Sequence, residues 1–156
     1  MKLNDVLELQ YTKKLKNIKT TIADVYGIIY RIYCVPENKS YIGQTFSHHY
    51  MGGYLSRTGV LKRVKSHWSR KDNDSCKNQP LYIAFTSYLP EDFEVYEEER
   101  VYGKDLANIH QKEEYYMEKY NSLKDGYNTR EIGTNPAKMI DELSKHHEFE
   151  VVKTKY

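Results

Sequence analysis

The chain has 156 residues, 39% hydrophobic and 29% charged, which is enough apolar material for one modest core. No apolar run is long enough to span a membrane, and no apolar segment follows Met1-Lys2-Leu3-Asn4-Asp5, so an intracellular, unsecreted protein is expected; Cys34 and Cys76 alone make neither a disulfide framework nor a four-ligand zinc site. The net charge of +2 is uneven: residues 61–77 carry six cations against two carboxylates and residues 91–118 carry ten carboxylates against three cations, so only the first can meet a polyanion unaided.

Leu3, Leu7, Tyr11, Leu15 and Ile18 recur every three to four residues, the spacing of an amphipathic helix. Gly27 to Val35 is β-branched and aromatic and reads as a strand. Pro36-Glu37-Asn38-Lys39 supplies turn chemistry, and Ser40 to Thr45 is the partner strand of a hairpin. Residues 46–60, with Gly52, Gly53 and Gly59, read as an irregular excursion. Helical periodicity returns from Leu61 to Ser69, and Pro80 suits the first turn of a helix that Leu89-Pro90 ends. Phe93 to Val101 is a strand, and Asp105 offers a cap for a helix ending near Tyr120. Asn135-Pro136 opens a last helix running to about His146. The order α-β-β-α-α-β-α-α predicts a small mixed sheet with helices packed on it.

On the helix from Asp105, Leu106, Ile109, Tyr116, Met117 and Tyr120 align in one apolar stripe, and Glu113 falls in its middle. A carboxylate facing a core must find a cation, a metal or several donors, because burying it unpaired is costly. A structural ion pair with a core-facing Arg answers that need as well as a metal does. Arg63 and His67 share one helix face beside the stripe of Leu61, Val64 and Trp68, the boundary where side chains line a cleft. Tyr30 and Tyr41 sit on the two arms of the hairpin.

Ile28-Ile29-Tyr30, followed eleven residues after Tyr30 by Tyr41-Ile42-Gly43, resembles the signature of the GIY-YIG nucleases. The resemblance continues in order. Arg63-Val64-Lys65-Ser66-His67 matches the family's Arg and His on the first core helix, Leu81 to Phe85 its second helix, and Phe93-Glu94-Val95 its third strand. Glu113 matches the metal-binding glutamate, and fifteen residues on, Asn128 of Gly126-Tyr127-Asn128 matches the family's Asn. Ile28 stands where the family usually has Gly, with Gly27 one place earlier, and the stretch between Tyr41 and Arg63 is longer than in compact members.

The resemblance implies an α/β (α+β) fold, a small, mainly antiparallel three-stranded sheet flanked by helices. It divides the chain into an N-terminal helical extension at 1–25, a nuclease-like catalytic domain at 26–130 and a C-terminal helix and tail at 131–156. The implied activity is hydrolysis of DNA phosphodiester bonds by a divalent-metal-dependent endonuclease, in a homing, repair, restriction, phage or viral role. Tyr30, Tyr41, Arg63, His67, Glu113 and Asn128 are the implied catalytic set, with a single Mg²⁺ or Mn²⁺ on Glu113. One carboxylate is sufficient for Mg²⁺, which fills its other positions with water and phosphate oxygens. Arg63 offers a planar, permanently charged fork that fits a phosphate. Tyr30 is the phenol assigned to activating water, with His67 and Tyr41 as local help, and which of the three takes the proton stays open. DNA contacts are expected of Lys62, Lys65, Arg70, Lys71 and Arg57. No zinc finger or helix-turn-helix is visible, so specificity falls to residues 46–60 at the cleft rim, to the N-terminal helix, or to a partner chain, a homodimer included. The rival readings are a non-catalytic nucleic-acid-binding domain that keeps the fold without turnover, and a structural role with Glu113 in a core ion pair.

Overall fold

The structure, a computed structural model, describes residues 1–9, 18–21, 25–51, 54–129 and 148–152. In chain order the elements are α1 (Leu3–Glu8), β1 (Ile18–Thr21), β2 (Gly27–Cys34), β3 (Lys39–Phe46), β4 (His48–Met51), β5 (Tyr54–Arg57), α2 (Gly59–Ser69), α3 (Pro80–Ser87), β6 (Phe93–Val101), α4 (Ile109–Lys119) and β7 (Glu148–Val152). No helix among the described residues is long and apolar enough to cross a membrane.

β2 is the middle strand of an antiparallel sheet of order β3-β2-β6. Helices cover both faces of this strand, which accounts for its nearly unbroken β-branched and aromatic run. Ile28, Tyr30, Ile32 and Cys34 face a core completed by Leu3 and Val6 of α1, Val64 of α2, Leu81 and Phe85 of α3, and Phe93. Ile29 points the other way, into a second cluster with Ile42, Val101, and Ile109 and Met117 of α4. The sheet and its flanking helices are those expected from the sequence. Gly27 marks where α4 sits on the strand. A Cβ there would lie 2.5 Å from Ile109 Cδ1 and 3.0 Å from Leu106 Cδ2, too close for any larger residue without a shift.

The β2–β6 register slips between Ile29 and Tyr30, which pair with Glu99 and Glu97, so Glu98 is an extra residue on β6. Its carboxylate accepts from Arg31 Nε at 2.7 Å and from the Tyr120 hydroxyl at 3.1 Å. The bulge is thereby tied to the end of α4.

Several expectations are corrected. α1 stops at Glu8, and Ile18 lies in β1, paired with Val151 of β7. The run Ile18-Lys19-Thr20-Thr21 is rich in β-branched residues, which favour extended backbone over helix. Tyr11 and Leu15 lie outside the described residues. Residues 46–60 are not irregular throughout, because β4 and β5 pair antiparallel from His48↔Arg57 to Met51↔Tyr54. The sequence between them is Gly52-Gly53, a pair suited to a tight hairpin turn. β4 and β5 join β1 and β7 in a second sheet of order β1-β7-β5-β4, which the sequence reading did not anticipate. Asp105 does not cap α4. It lies in a 3-10 turn at Gly103–Asn108, and α4 begins only after it. The expected helix from Pro136 to His146 lies outside the described residues.

Candidate functional site

The β2–β3 register sets Tyr30 opposite Gly43 and Ile32 opposite Tyr41, so alternation puts both tyrosines on one face, with their ring centroids 6.2 Å apart. Gly43 is required by Tyr30 itself. A Cβ at Gly43 would lie 2.4 Å from both Cζ and Oη of Tyr30, so the phenol occupies the space a side chain would fill. The Tyr30 hydroxyl, completely buried, shares a 2.8 Å hydrogen bond with Nε2 of His67 on α2. Nδ1 of His67 shares another 2.8 Å bond with the hydroxyl of Tyr82 on α3. Tyr41 packs edge-on against the same imidazole at 5.3 Å.

Burial dominates the protonation of this group. It pushes the Tyr30 phenol well above its usual value of 10, with the neighbouring Tyr41 adding to the rise and Arg63 opposing it. Burial likewise pushes Tyr41 up to about 12, again against the charge of Arg63. It lowers His67 to about 3, helped by the charges of Arg63 and Arg70. At neutral pH the cluster is three neutral phenols, Tyr82 included, around a neutral imidazole.

Arg63 stands one helical turn before His67, at the boundary position expected of it. Its Nε is buried without a hydrogen-bond partner among the described residues, a donor left ready for an anion. Arg63 forms part of the wall of a cavity of about 200 Å³, together with Gln44, Phe46, His49, Thr58, Lys62 and Ser66. The other expected DNA contacts are less uniform. Lys65 donates to the carbonyl of Leu9, and Arg70 Nε donates to the carbonyl of Ser66 at 3.4 Å. Lys71 lies 4.3 Å over the Trp68 ring and 3.5 Å from Asp72. Arg57 falls in β5 opposite His48. Of these cations, only Lys62 joins Arg63 in lining that cavity.

Glu113 sits on the buried side of α4, 5% exposed, as its place in the apolar stripe predicted. Its Oε2 is buried with no hydrogen-bond partner, and it forms no ion pair among the described residues. The alternative of a core ion pair with an arginine is therefore not realised there. Burial first, then the neighbouring Glu114, raises its carboxyl to about 7. Its charge also raises both Tyr30 and Tyr41, so the carboxylate belongs to the same electrostatic neighbourhood as the phenols. An orphaned, desolvated carboxylate oxygen is a hard ligand that suits one divalent cation, whose other positions water and phosphate oxygens can fill. Glu113 is the residue that would hold it.

Asn128 differs from the other expected residues. Its Nδ2 donates to the carbonyl of Ile42 at 2.8 Å, and its Oδ1 accepts from the Ile42 N–H at 2.7 Å. The Tyr127 N–H donates to the Ser40 carbonyl at 2.9 Å, so this segment closes the outer edge of β3 beside Tyr41. The geometry gives Asn128 the task of positioning that strand.

The place of two residues in the site escaped sequence reasoning. Tyr82 hides in the apolar pattern Leu81-Tyr82-Ala84-Phe85 of α3, where nothing marks its hydroxyl. His49 lies in the segment expected to frame only the rim, and strand alternation within β4 separates it from its neighbour. His48 Nδ1 pairs with Ser47 Oγ, whereas His49 Nδ1 pairs with Thr58 Oγ1.

No protein-family model and no curated protein matches the sequence. Among solved structures, the chain is similar to a mutant of the catalytic domain of intron endonuclease I-TevI, with a TM-score of 0.51 and 24% identity over 69% of this chain and 99% of that one. It is also similar to a structure of the catalytic domain of homing endonuclease I-TevI, with a TM-score of 0.49 and 26% identity over 67% of this chain and 99% of that one. The first likeness establishes a shared fold, the one that the ordered GIY-YIG motifs led us to expect.

Proposed function

We propose that the chain is a divalent-metal-dependent endonuclease that hydrolyses DNA phosphodiester bonds. The observation that carries this reading is Glu113: a buried carboxylate with an unpaired oxygen and no ion pair among the described residues, close enough to Tyr30 and Tyr41 to raise both. A core does not retain such a group for stability, because an uncompensated buried carboxylate costs several kcal/mol. The solved domain that shares the fold is described as belonging to an intron endonuclease, which agrees with this reading. The basic character of residues 61–77 around α2 fits a polyanionic substrate.

In this reading the phosphate enters beside Arg63, whose unpaired Nε and permanent charge bind and orient it while negative charge develops on its oxygens. A single Mg²⁺ or Mn²⁺ bound at Glu113 would supply positive charge near the leaving oxygen. Tyr30, held against His67, is the phenol assigned to activating the attacking water. His67 stays neutral and keeps that hydroxyl in place, with Tyr82 fixing the far side of the ring. Asn128 keeps β3, and so Tyr41, in register.

The test is nicking of supercoiled plasmid across a titration of Mg²⁺ and Mn²⁺. Metal-dependent nicking by the wild type, absent in Glu113→Gln, is the expected result. A wild type that binds DNA and does not nick it with either metal would favour the non-catalytic reading.

A further inference from the structure

Neither Tyr30 nor Glu113 lines the cavity of about 200 Å³ beside Arg63, so that cavity adjoins the reacting centre without belonging to it. Arg63 is the residue the two share. Its charge opposes the rise of the Tyr30 phenol, and the same charge acts on the His49 imidazole in the cavity wall. A DNA strand bound through one phosphate at Arg63 carries another phosphate one nucleotide to either side, and this cavity is the space next to that residue.

The wall of the cavity is chemically one-sided. Lys62 and Arg63 are consecutive cations of α2, and Ser66 follows Arg63 by three residues, on the same side of the helix. No carboxylate is among the lining residues. Phe46 is 1% exposed and meets the His49 ring edge-on at 6.2 Å, so it offers no open face on which a base could stack. Cations and hydroxyls without an aromatic platform suit a phosphate group better than a nucleobase. His49 shares a 2.6 Å hydrogen bond through Nδ1 with Thr58 Oγ1. Its neighbour His48 pairs with Ser47, and the residue opposite it on β5 is the uncharged Ser56. The charges acting on its imidazole are those of Arg63 and Lys62, which add to burial in holding it below its usual value of 6.5. An anion among these groups would cancel the repulsion and give an imidazolium an acceptor.

We propose that this cavity is a phosphate-binding subsite, in which Lys62, Ser66 and His49 hold the DNA backbone phosphate next to the one bound at Arg63. This rests on the part of the nuclease reading that brings a DNA phosphate to Arg63, and not on its metal chemistry. Lys62 supplies charge, Ser66 a hydroxyl donor, and His49, once protonated, a charged N–H donor. Binding therefore takes up a fraction of a proton. Because the imidazole titrates at higher pH in the complex than in the free protein, DNA affinity rises as pH falls through the interval between the two midpoints. Above both midpoints it is level. The segment between Tyr41 and Arg63 thereby contributes a backbone contact, which sets the position of the strand without reading its sequence.

The experiment uses the full chain in chelator, so that no DNA is cut. The His49 imidazole, assigned through its contact with the Phe46 ring, is titrated by NMR in three states: alone, with sodium sulfate against chloride at equal ionic strength, and with a short DNA duplex. Duplex affinity is measured in parallel from about pH 5.5 to 7.5 for the wild type, His49→Gln and Lys62→Gln. The midpoint should lie below 6.5 in the free protein, and the duplex should raise it by about one pH unit or more. Between the two ends of that range the wild type should gain about threefold in affinity relative to His49→Gln. Lys62→Gln should bind more weakly and flatten the dependence of log affinity on log salt by about one. A midpoint that the duplex leaves unmoved overturns the proposal, and so does a pH dependence identical in the wild type and His49→Gln. A midpoint raised by sulfate and not by the duplex overturns the assignment to DNA. Should His49→Gln fail to fold, the wild-type midpoint decides by itself. A wild type that nicks with neither Mg²⁺ nor Mn²⁺, yet whose midpoint rises with the duplex, removes the hydrolytic reading and supports the subsite. One that nicks while the midpoint stays fixed removes the subsite alone.

Discussion

The hydroxyl of Tyr30 and Nε2 of His67 lie 2.8 Å apart, and Tyr82 holds the other nitrogen of the same ring at an equal distance. This pairing separates Tyr30 from the other tyrosine of its strand. Tyr33, on the opposite face of β2, donates its hydroxyl to Asn38 Oδ1 at 2.8 Å in an exposed turn. Tyr30→Phe should therefore reduce single-turnover nicking by at least about tenfold, and Tyr33→Phe by less than about threefold. Equal losses in the two variants would mean that both tyrosines act through packing alone.

Arg63→Lys keeps the charge and loses the planar fork. Nε is the atom left without a partner, and lysine has no equivalent at that point of the side chain. Loss of such an oxyanion contact is typically worth about 100- to 1,000-fold in rate, and that is the expected fall. Mutant cleavage within a few-fold of wild type would place the phosphate elsewhere on α2.

Glu113→Gln should abolish metal-dependent nicking and at the same time stabilise the metal-free fold at neutral pH. The carboxyl is raised from 4.5 to about 7 in the folded state. Between those values the folded chain holds a proton that the unfolded chain has lost, so this group makes stability fall as pH rises through the window. Above about 7 the destabilisation is complete, on the order of 3 kcal/mol for a shift of this kind. The melting temperature of Glu113→Gln should thus match wild type near pH 4.5 and exceed it at pH 8 in the presence of chelator. Identical melting across that range would show that the Glu113 carboxylate is solvated after all. Added Mg²⁺ should narrow the difference at pH 8, because it binds the ionised wild-type group.

The parts of this structure written locally were legible, and the parts written by distant pairing were not. β2 shows itself because covered faces demand an apolar run, and Glu113 shows itself because a charge in an apolar stripe contradicts its surroundings. β1 and β7 pair residues such as Thr21 and Glu148 across more than a hundred positions, and their four- and five-residue runs carry little periodicity. β4 and β5 were obscured because residues 46–60 were read as an irregular excursion, and their four-residue arms are too short to show an alternation. The place of His49 in the cavity was not legible for a related reason. Its neighbourhood with Arg63 depends on that hairpin returning the chain to the cavity, and on a threonine nine residues away fixing the ring. Tyr82 depends likewise on α3 packing against α2, which no spacing within Pro80–Ser87 reveals.

Asn128 offers a way to tell positioning from chemistry. Both ends of its amide are engaged by Ile42, the residue after Tyr41 on the outer edge of β3. Asn128→Asp keeps an acceptor for the Ile42 N–H, yet sets a second oxygen against the Ile42 carbonyl in place of a donor. Leaving that carbonyl unpaired should cost about 1–3 kcal/mol, a fall in melting temperature of several degrees for a domain of this size. Cleavage measured well below the melting temperature should then fall by less than about tenfold, a smaller loss than that of Arg63→Lys. Asn128→Ala should destabilise at least as much, since it removes both partners of a strand edge and fills the gap with water at best. A variant of Asn128 that melts like wild type and fails to cleave would show the opposite. The amide would then act on the substrate directly, and its two bonds to Ile42 would merely aim it.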